Sequence, residues 1–225
     1  MGSIYRKLLN SIGYKVLKNG TKQNSFTIFS NDCYGAEIYK ALRTPYQTPF
    51  VGLMLMAPCY IKFLKNPKYY LSLDLQFTDV SKYEDCDALH ATKKYPIAVL
   101  DDIEIHFLHY KSSKEAIEKW TSRKERIQWE HIRVNFTIDK DYGTEIHLKE
   151  FHSLPYEHKV SFSKKTYPEY SDNFTIQNFQ SNALALFRES LTAFNLTGWL
   201  NGGSLKLRNW SDTIRANVLK FTVNR

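Results

Sequence analysis

Apolar residues recur near helical spacing at Ile4, Leu8, Leu9, Ile12, Val16 and Leu17, and predict a helix over 4–17 with Gly13 as its weak point. Phe26 to Ser30 is aromatic and β-branched and predicts a strand. Asn31 to Gly35 then predicts a turn, and Ala36 to Leu42 a short helix. Phe50 to Met56 is continuously apolar, which suits either a buried strand or part of a helix. Pro58 is placed to open a helix running to Leu64. Tyr69 to Phe77 predicts a strand, and Asp79 to Lys94 a polar, irregular stretch. Pro96 to Leu100 and Ile103 to Tyr110 predict two strands flanking Asp101 and Asp102. Ser112 and Glu115 form a capping box ahead of a helix carrying Ile117, Trp120 and Ile127. Strands follow at 132–138, 159–163 and 174–179, helices at 144–151 and 183–191, and Trp199 to Gly203 closes the body. Strands alternating with helices predict a layered α/β domain with a Rossmann-like first strand–loop–helix unit. The hairpin at Asp101 predicts a mixed sheet.

Composition narrows the class. The 225 residues suit one domain, and 43% hydrophobic with 15% aromatic content supports a sizeable core rather than disorder. The net charge of +8 is unevenly placed. Residues 1–23 carry Arg6, Lys7, Lys15, Lys18 and Lys22 with no acid. Residues 204–225 carry Lys206, Arg208, Arg215, Lys220 and Arg225 against Asp212. The α/β body at 24–203 is therefore close to neutral, which argues against nucleic acid as a partner. Both ends mix apolar and basic residues and predict amphipathic segments, with Leu207, Trp210, Ile214, Val218 and Phe221 along one stripe of the second. Such segments suit an anionic membrane surface, and equally suit packing on the body or on a second subunit. Cys33, Cys59 and Cys86 are odd in number and lack metal spacing, so neither a disulfide framework nor a metal site is expected. No stretch reads as a secretory signal or is long enough to span a bilayer. The expected address is cytoplasmic, peripheral on the inner face of the cell membrane.

Three places are candidates for chemistry. The first is Ser30, Asn31, Asp32, Cys33, Tyr34 and Gly35, at the carboxyl end of the first strand, where open α/β sheets bind ligands. A cysteine at a helix start is expected to have a lowered pKa, which would make Cys33 a nucleophile. The alternative is a packed thiol beside a capping Asn31 or Asp32. The second is the strand from Asp101 to Lys111. Alternation puts Glu104 and His106 on one face, where the carboxylate would orient the imidazole as a base. His109 and Lys111 lie at the strand's end. The third is the helix bearing Trp120, Arg123, Lys124, Arg126 and Trp129, from which Arg123 and Arg126 are the candidate ligands for sugar or phosphate.

Three stretches together resemble a known family: Phe26 to Tyr39, Thr44 to Leu53, and Asp102 to Lys111 with its following helix to Trp129. The chain resembles the bacterial DUF1919 family, whose members are often labelled exopolysaccharide biosynthesis proteins, and Trp199-Leu-Asn-Gly202 resembles its closing motif. The resemblance covers roughly 24–203. It departs from the family pattern at Asp32, where an asparagine is usual, and at Ala36, where a glycine is usual. The resemblance implies a three-layer α/β/α domain and a role in capsule or polysaccharide assembly. Three functions are compatible with it. The first is an acyltransferase, such as an O-acetyltransferase, acting on a glycan or lipid-linked glycan precursor with an acyl donor such as acetyl-CoA. There Cys33 is the nucleophile and His106 the base, oriented by Glu104 or Asp102. The second is a glycosyltransferase using a nucleotide sugar. The third is a non-catalytic assembly protein.

Overall fold

The computed structural model describes residues 3–23 and 25–223. The elements in chain order are α1 (Ser3–Gly20), β1 (Thr27–Ser30), α2 (Tyr34–Leu42), α3 (Ala57–Lys65), α4 (Pro67–Ser72), β2 (Gln76–Thr78), α5 (Glu84–Thr92), β3 (Ile97–Leu100), β4 (Ile103–His106), α6 (Ser113–Lys124), β5 (Ile132–Thr137), α7 (Glu145–Ser153), β6 (Lys159–Ser163), β7 (Asn173–Thr175), α8 (Ala183–Ser190), α9 (Leu196–Leu200) and α10 (Trp210–Thr222).

Parallel and antiparallel pairing are both present, divided between two sheets. The larger is parallel, in the order β1-β5-β6-β7, and the smaller is antiparallel, β2-β3-β4. Strand alternation gives the parallel sheet two faces. Phe29, Val134 and Phe136 belong to one apolar cluster with α3, α7 and the small sheet. Ile28, Val160 and Phe162 belong to a second with α1, α2, α8, α9 and α10. The result is the layered α/β architecture.

The segment between Phe50 and Met56 is neither a regular strand nor a helix. Met54 exchanges two backbone hydrogen bonds with His106 (2.9 and 3.0 Å), while the Leu55 amide donates to the Asn31 carbonyl (2.9 Å). It thereby joins the small sheet to the end of β1. Two local expectations fail. Tyr69 to Ser72 is helical, in α4, because Pro67 starts a turn whose Tyr70 and Leu71 bury against the core. The polar stretch 79–94 contains α5, which carries Glu84, Asp85 and Asp87 in its first turn and buries only Cys86 and His90. Its acidic start suits the helix dipole, but so few apolar positions leave no periodic signal.

The closing motif is a tie rather than a site. Arg133, on β5, donates to the carbonyls of Trp199 and Leu200 at the end of α9 (2.9 Å each). Asn201 accepts from the amides of Lys22 (2.7 Å) and Gln23 (3.2 Å) and donates to the Gly20 carbonyl (2.8 Å), fastening the end of α1 to the body. α1 and α10 run antiparallel against each other: a methyl group on Gly13 would meet Thr222, and one on Gly20 would approach Arg215.

Candidate active site

β1 and β5 are parallel neighbours, so the turns that follow them lie side by side. The turn after β1 supplies Asp32 and Cys33, and the turn after β5 supplies Lys140 and Asp141. Together with one flank of α2, the 51–54 segment, Leu108–His109 and the start of α8, they enclose a cleft of about 580 Å³. It sits at the carboxyl ends of the strands, where helix starts and free loop residues converge.

Its floor is a buried polar cluster. The Asp32 carboxylate accepts the Tyr34 amide (2.7 Å) and the Ser30 hydroxyl (3.1 Å) on one oxygen, and its other oxygen pairs with Lys140 Nζ at 2.5 Å. Lys140 also reaches Asp141 at 3.7 Å and donates to the Ser181 carbonyl at 3.2 Å. Burial alone would lower the Lys140 pKa, but Asp32 and Asp141 more than offset it and the ammonium is held charged. Asp141 is pushed up to about 6, first by burial, with Lys140 opposing and the negative charge of Asp32 adding to the rise. Its backbone is left-handed (φ 54°), and its carbonyl accepts the Ala57 amide at 2.7 Å. Asn31 faces inward and locks the two turns together, exchanging bonds with the Thr137 carbonyl (3.2 Å) and amide (3.0 Å).

Cys33 is half-buried on the cleft wall with its thiol 3.8 Å from the Leu53 carbonyl. The expected lowering of its pKa is reversed. Burial is the largest influence, the Asp32 carboxylate adds to it, and the Gly52 amide, Lys140 and Lys40 only partly oppose them. Asp32 occupies the helix start that was expected to stabilise a thiolate. The Cys33 thiol is therefore protonated at rest and needs a base. His109, exposed and also lining the cleft, donates its amide to the Gly52 carbonyl at 3.0 Å, so both residues lean on the same Gly52–Leu53 segment. Burial and the nearby Lys93 and Lys40 lower its pKa, so its imidazole is neutral near pH 7.

The other sequence candidates fall elsewhere. His106 and Glu104 do pair, at 2.7 Å, but they are 0% and 3% exposed in their side chains. His106 also meets Tyr95, while Glu104 takes the Ser81 hydroxyl (2.5 Å) and the Lys82 amide (3.0 Å). Burial raises the Glu104 pKa, yet these donors hold it below the ordinary value. The pair pins the 81–83 loop to β4 and does not line the cleft. Asp102 is at the far end of the hairpin, bound to Lys62 (2.6 Å) and Tyr70 (2.8 Å). Arg123 donates to the Tyr110 hydroxyl at 2.6 Å and lies over the Tyr46 ring, and Arg126 reaches the Tyr46 carbonyl at 3.4 Å, so both hold the 44–52 loop. Lys111 donates its backbone amide to the Glu115 carboxylate at 3.0 Å, one residue ahead of the Ser112 cap. Tyr34 is buried against Ser190 (2.8 Å). Gly35 is where α2 touches β1: a methyl there would stand 2.9 Å from Ile28 Cγ2.

Sequence reasoning missed Lys140, Asp141, Glu37, Lys40 and the start of α8. The signal for the first two was present in Asp139-Lys-Asp-Tyr-Gly143, a turn directly after a well-marked strand. A second constellation also went unnoticed. His152 stacks on Tyr170 and sits 2.9 Å from both Asp172 and Ser161, the arrangement of a Ser–His–Asp triad. Ser161 is fully buried in β6, holds a further bond from Asn173 (2.8 Å), and does not line the cleft. It is a structural network.

A domain of unknown function, DUF1919, matches residues 4–201. The chain belongs to the DUF1919 family. The match includes α1 and ends within the Trp199–Gly202 motif, leaving α10 outside it. A relative from Haemophilus influenzae, itself named only as an uncharacterized protein, is 31% identical over 185 residues, covering 82% of each chain. Within this DUF1919 chain Asp32 neutralises Lys140, whereas an asparagine at that position could still accept the Tyr34 amide but could not pair with the ammonium.

Proposed function

We propose that the protein is an acyltransferase whose cleft accepts a glycan or lipid-linked glycan precursor. The observation that carries this reading is that a half-buried cysteine, Cys33, and an exposed histidine, His109, line the same cleft. The acceptor class rests on the family resemblance. Asp32, Glu37 and Asp141 around the cleft are suited to accept hydroxyl hydrogens.

In the proposed reaction neutral His109 takes the Cys33 proton. The thiolate attacks the carbonyl carbon of an acyl thioester donor, and the donor's thiol leaves with the proton from His109. An acceptor hydroxyl then attacks the Cys33 thioester, gives its proton to His109, and leaves as the ester while the Cys33 thiol is restored. The base role assigned to His106 from the sequence passes to His109, because His106 is enclosed by Glu104 and Tyr95.

A nucleotide-sugar donor fits less well. Asp32 caps the start of α2, and the Asn182 side chain accepts the Ala185 amide (3.1 Å) at the start of α8, so both helix starts facing the cleft already have their own caps. A diphosphate would meet the Asp32 carboxylate where it needs amide donors.

The test is mass spectrometry of the protein after incubation with acetyl-CoA, paired with gene deletion, complementation and analysis of the surface glycan. One added acetyl group on Cys33, absent in Cys33→Ala and slowed roughly 10²–10⁴-fold in His109→Asn, is the expected result. A Cys33→Ala protein that fully restores the glycan would remove the thiol from the mechanism. Loss of a sugar rather than an acyl group would favour glycosyl transfer. A general block in assembly would favour the accessory role.

A further inference from the structure

α1 and α10 are apolar on two sides. Leu9, Gly13 and Leu17 of α1, and Ala216, Leu219 and Thr222 of α10, are buried where the helices meet each other and the body. That contact accounts for one stripe. The other stripe faces out: Ile4 (86% exposed), Leu8 and Ile12 on α1, and Trp210 (79% exposed), Ile214 and Phe221 on α10. An ordinary surface helix is polar on its outer side. A groove of about 350 Å³, lined by Tyr5, Arg6, Leu9, Arg188 and Phe221, lies among α1, α8 and α10.

The charge around these stripes is predominantly positive. α1 contains no acid, and Arg6, Lys7, Lys15 and Lys22 are exposed along and just beyond it. Lys206 and Arg208 are exposed ahead of α10. Arg215 and Lys220 belong to internal pairs, with Asp212 at 3.6 Å and Glu189 at 2.9 Å, and do not contribute; Arg225 lies outside the described residues.

We propose that the outward faces of α1 and α10 form a docking surface for an anionic lipid bilayer. Isoleucine, leucine, tryptophan and phenylalanine would enter the headgroup–acyl boundary while the flanking cations meet anionic headgroups. Charge decides against a second copy of this chain as the occupant, since pairing two such surfaces would oppose two sets of cations. The inference is independent of the reaction in the cleft. Among the described residues no helix is long and apolar enough to cross a membrane, so the contact proposed is interfacial.

The test is co-sedimentation of the full-length protein with vesicles of phosphatidylcholine alone or of an equimolar phosphatidylcholine–phosphatidylglycerol mixture, at low and high salt. Two variants are compared: I4S/L8S/W210S/I214S, which changes only exposed apolar residues, and R6Q/K7Q/K15Q/K22Q. Circular dichroism checks that both fold. Wild type should bind only the anionic vesicles and be released by high salt. The charge variant should bind more than ~100-fold more weakly, at roughly fivefold per cation. The apolar variant should remain in solution. The proposal is overturned if wild type stays in the supernatant with anionic vesicles at low salt, or if the apolar variant binds as wild type does. It is equally overturned if sedimentation velocity finds a dimer that the apolar variant dissolves while no vesicle binding occurs.

Discussion

At the scale of single residues, Asp141 carries the plainest electrostatic consequence. Its carboxyl titrates at about 6 in the folded protein, against an ordinary value of 3.8, chiefly because it is buried. A raised carboxyl pKa means that the folded state favours the protonated form. The stability it contributes is complete below about pH 4 and is lost as pH rises through about 6. Asp141→Asn removes that loss and keeps a residue that tolerates the left-handed backbone. The variant should therefore gain stability relative to wild type between pH 4 and 7.5, by up to ~3 kcal/mol at about 1.4 kcal/mol per pKa unit. Urea denaturation of both proteins across that range measures it. A difference that does not change with pH would mean that Asp141 is ionised throughout. The neighbouring Asp32 carboxylate pairs directly with the buried Lys140 ammonium.

At the scale of elements, the Ser161–His152–Asp172 network shows how burial separates structure from chemistry. His152 is on α7, Ser161 on β6, and Asp172 just before β7, so the three hydrogen bonds with Asn173 fasten an edge strand of three residues to its neighbours. Burial raises the Asp172 pKa, but the bond from His152 brings it below the ordinary value. Ser161→Ala should cost about 1–3 kcal/mol of stability, because it leaves the His152 ring and the half-buried Asn173 amide each short of a partner. It should leave acylation of Cys33 unchanged at temperatures where the variant is folded. Thermal unfolding and the acetylation assay separate the two. Loss of acylation by a folded Ser161→Ala protein would make the network catalytic.

At the scale of the whole molecule, the two terminal helices are part of one body. Asn201 holds the end of α1, Arg133 holds the end of α9, and Arg188 donates to the Val223 carbonyl at 3.4 Å. Asn201→Ala removes three hydrogen bonds at the α1 junction. Amide hydrogen exchange in residues 3–20 should then accelerate at least ~10-fold, since local opening is governed by local contacts, while β5 and β6 keep their protection. Uniform acceleration throughout the chain would show instead that α1 and the sheet unfold as one unit. Attachment of α1 also bears on membrane docking, because a helix held on the body presents its outward stripe already formed.

What the sequence determined by itself was local. Local signals located β1, α2, α3, β5, α7, β6 and α8: β1, β5 and β6 are short runs buried on both faces, and Pro58 stands at the start of α3. Such signals found the Ser112–Glu115 cap because that device uses adjacent positions. They failed at α4 and α5, where tertiary contacts at a few positions stand in for a repeat. The Cys33 turn was legible as the end of a strand before a helix. Its partners were not, because Lys140 lies more than a hundred positions away and becomes adjacent only through the parallel β1–β5 register. Likewise, alternation put Glu104 and His106 on one polar face, but it cannot say whether that face meets solvent or the 81–83 loop. Tertiary packing decided this, because desolvation depends on what covers a group. The same reason moved the thiol pKa up rather than down: burial is the largest influence on Cys33, and what covers it is set by the tertiary fold.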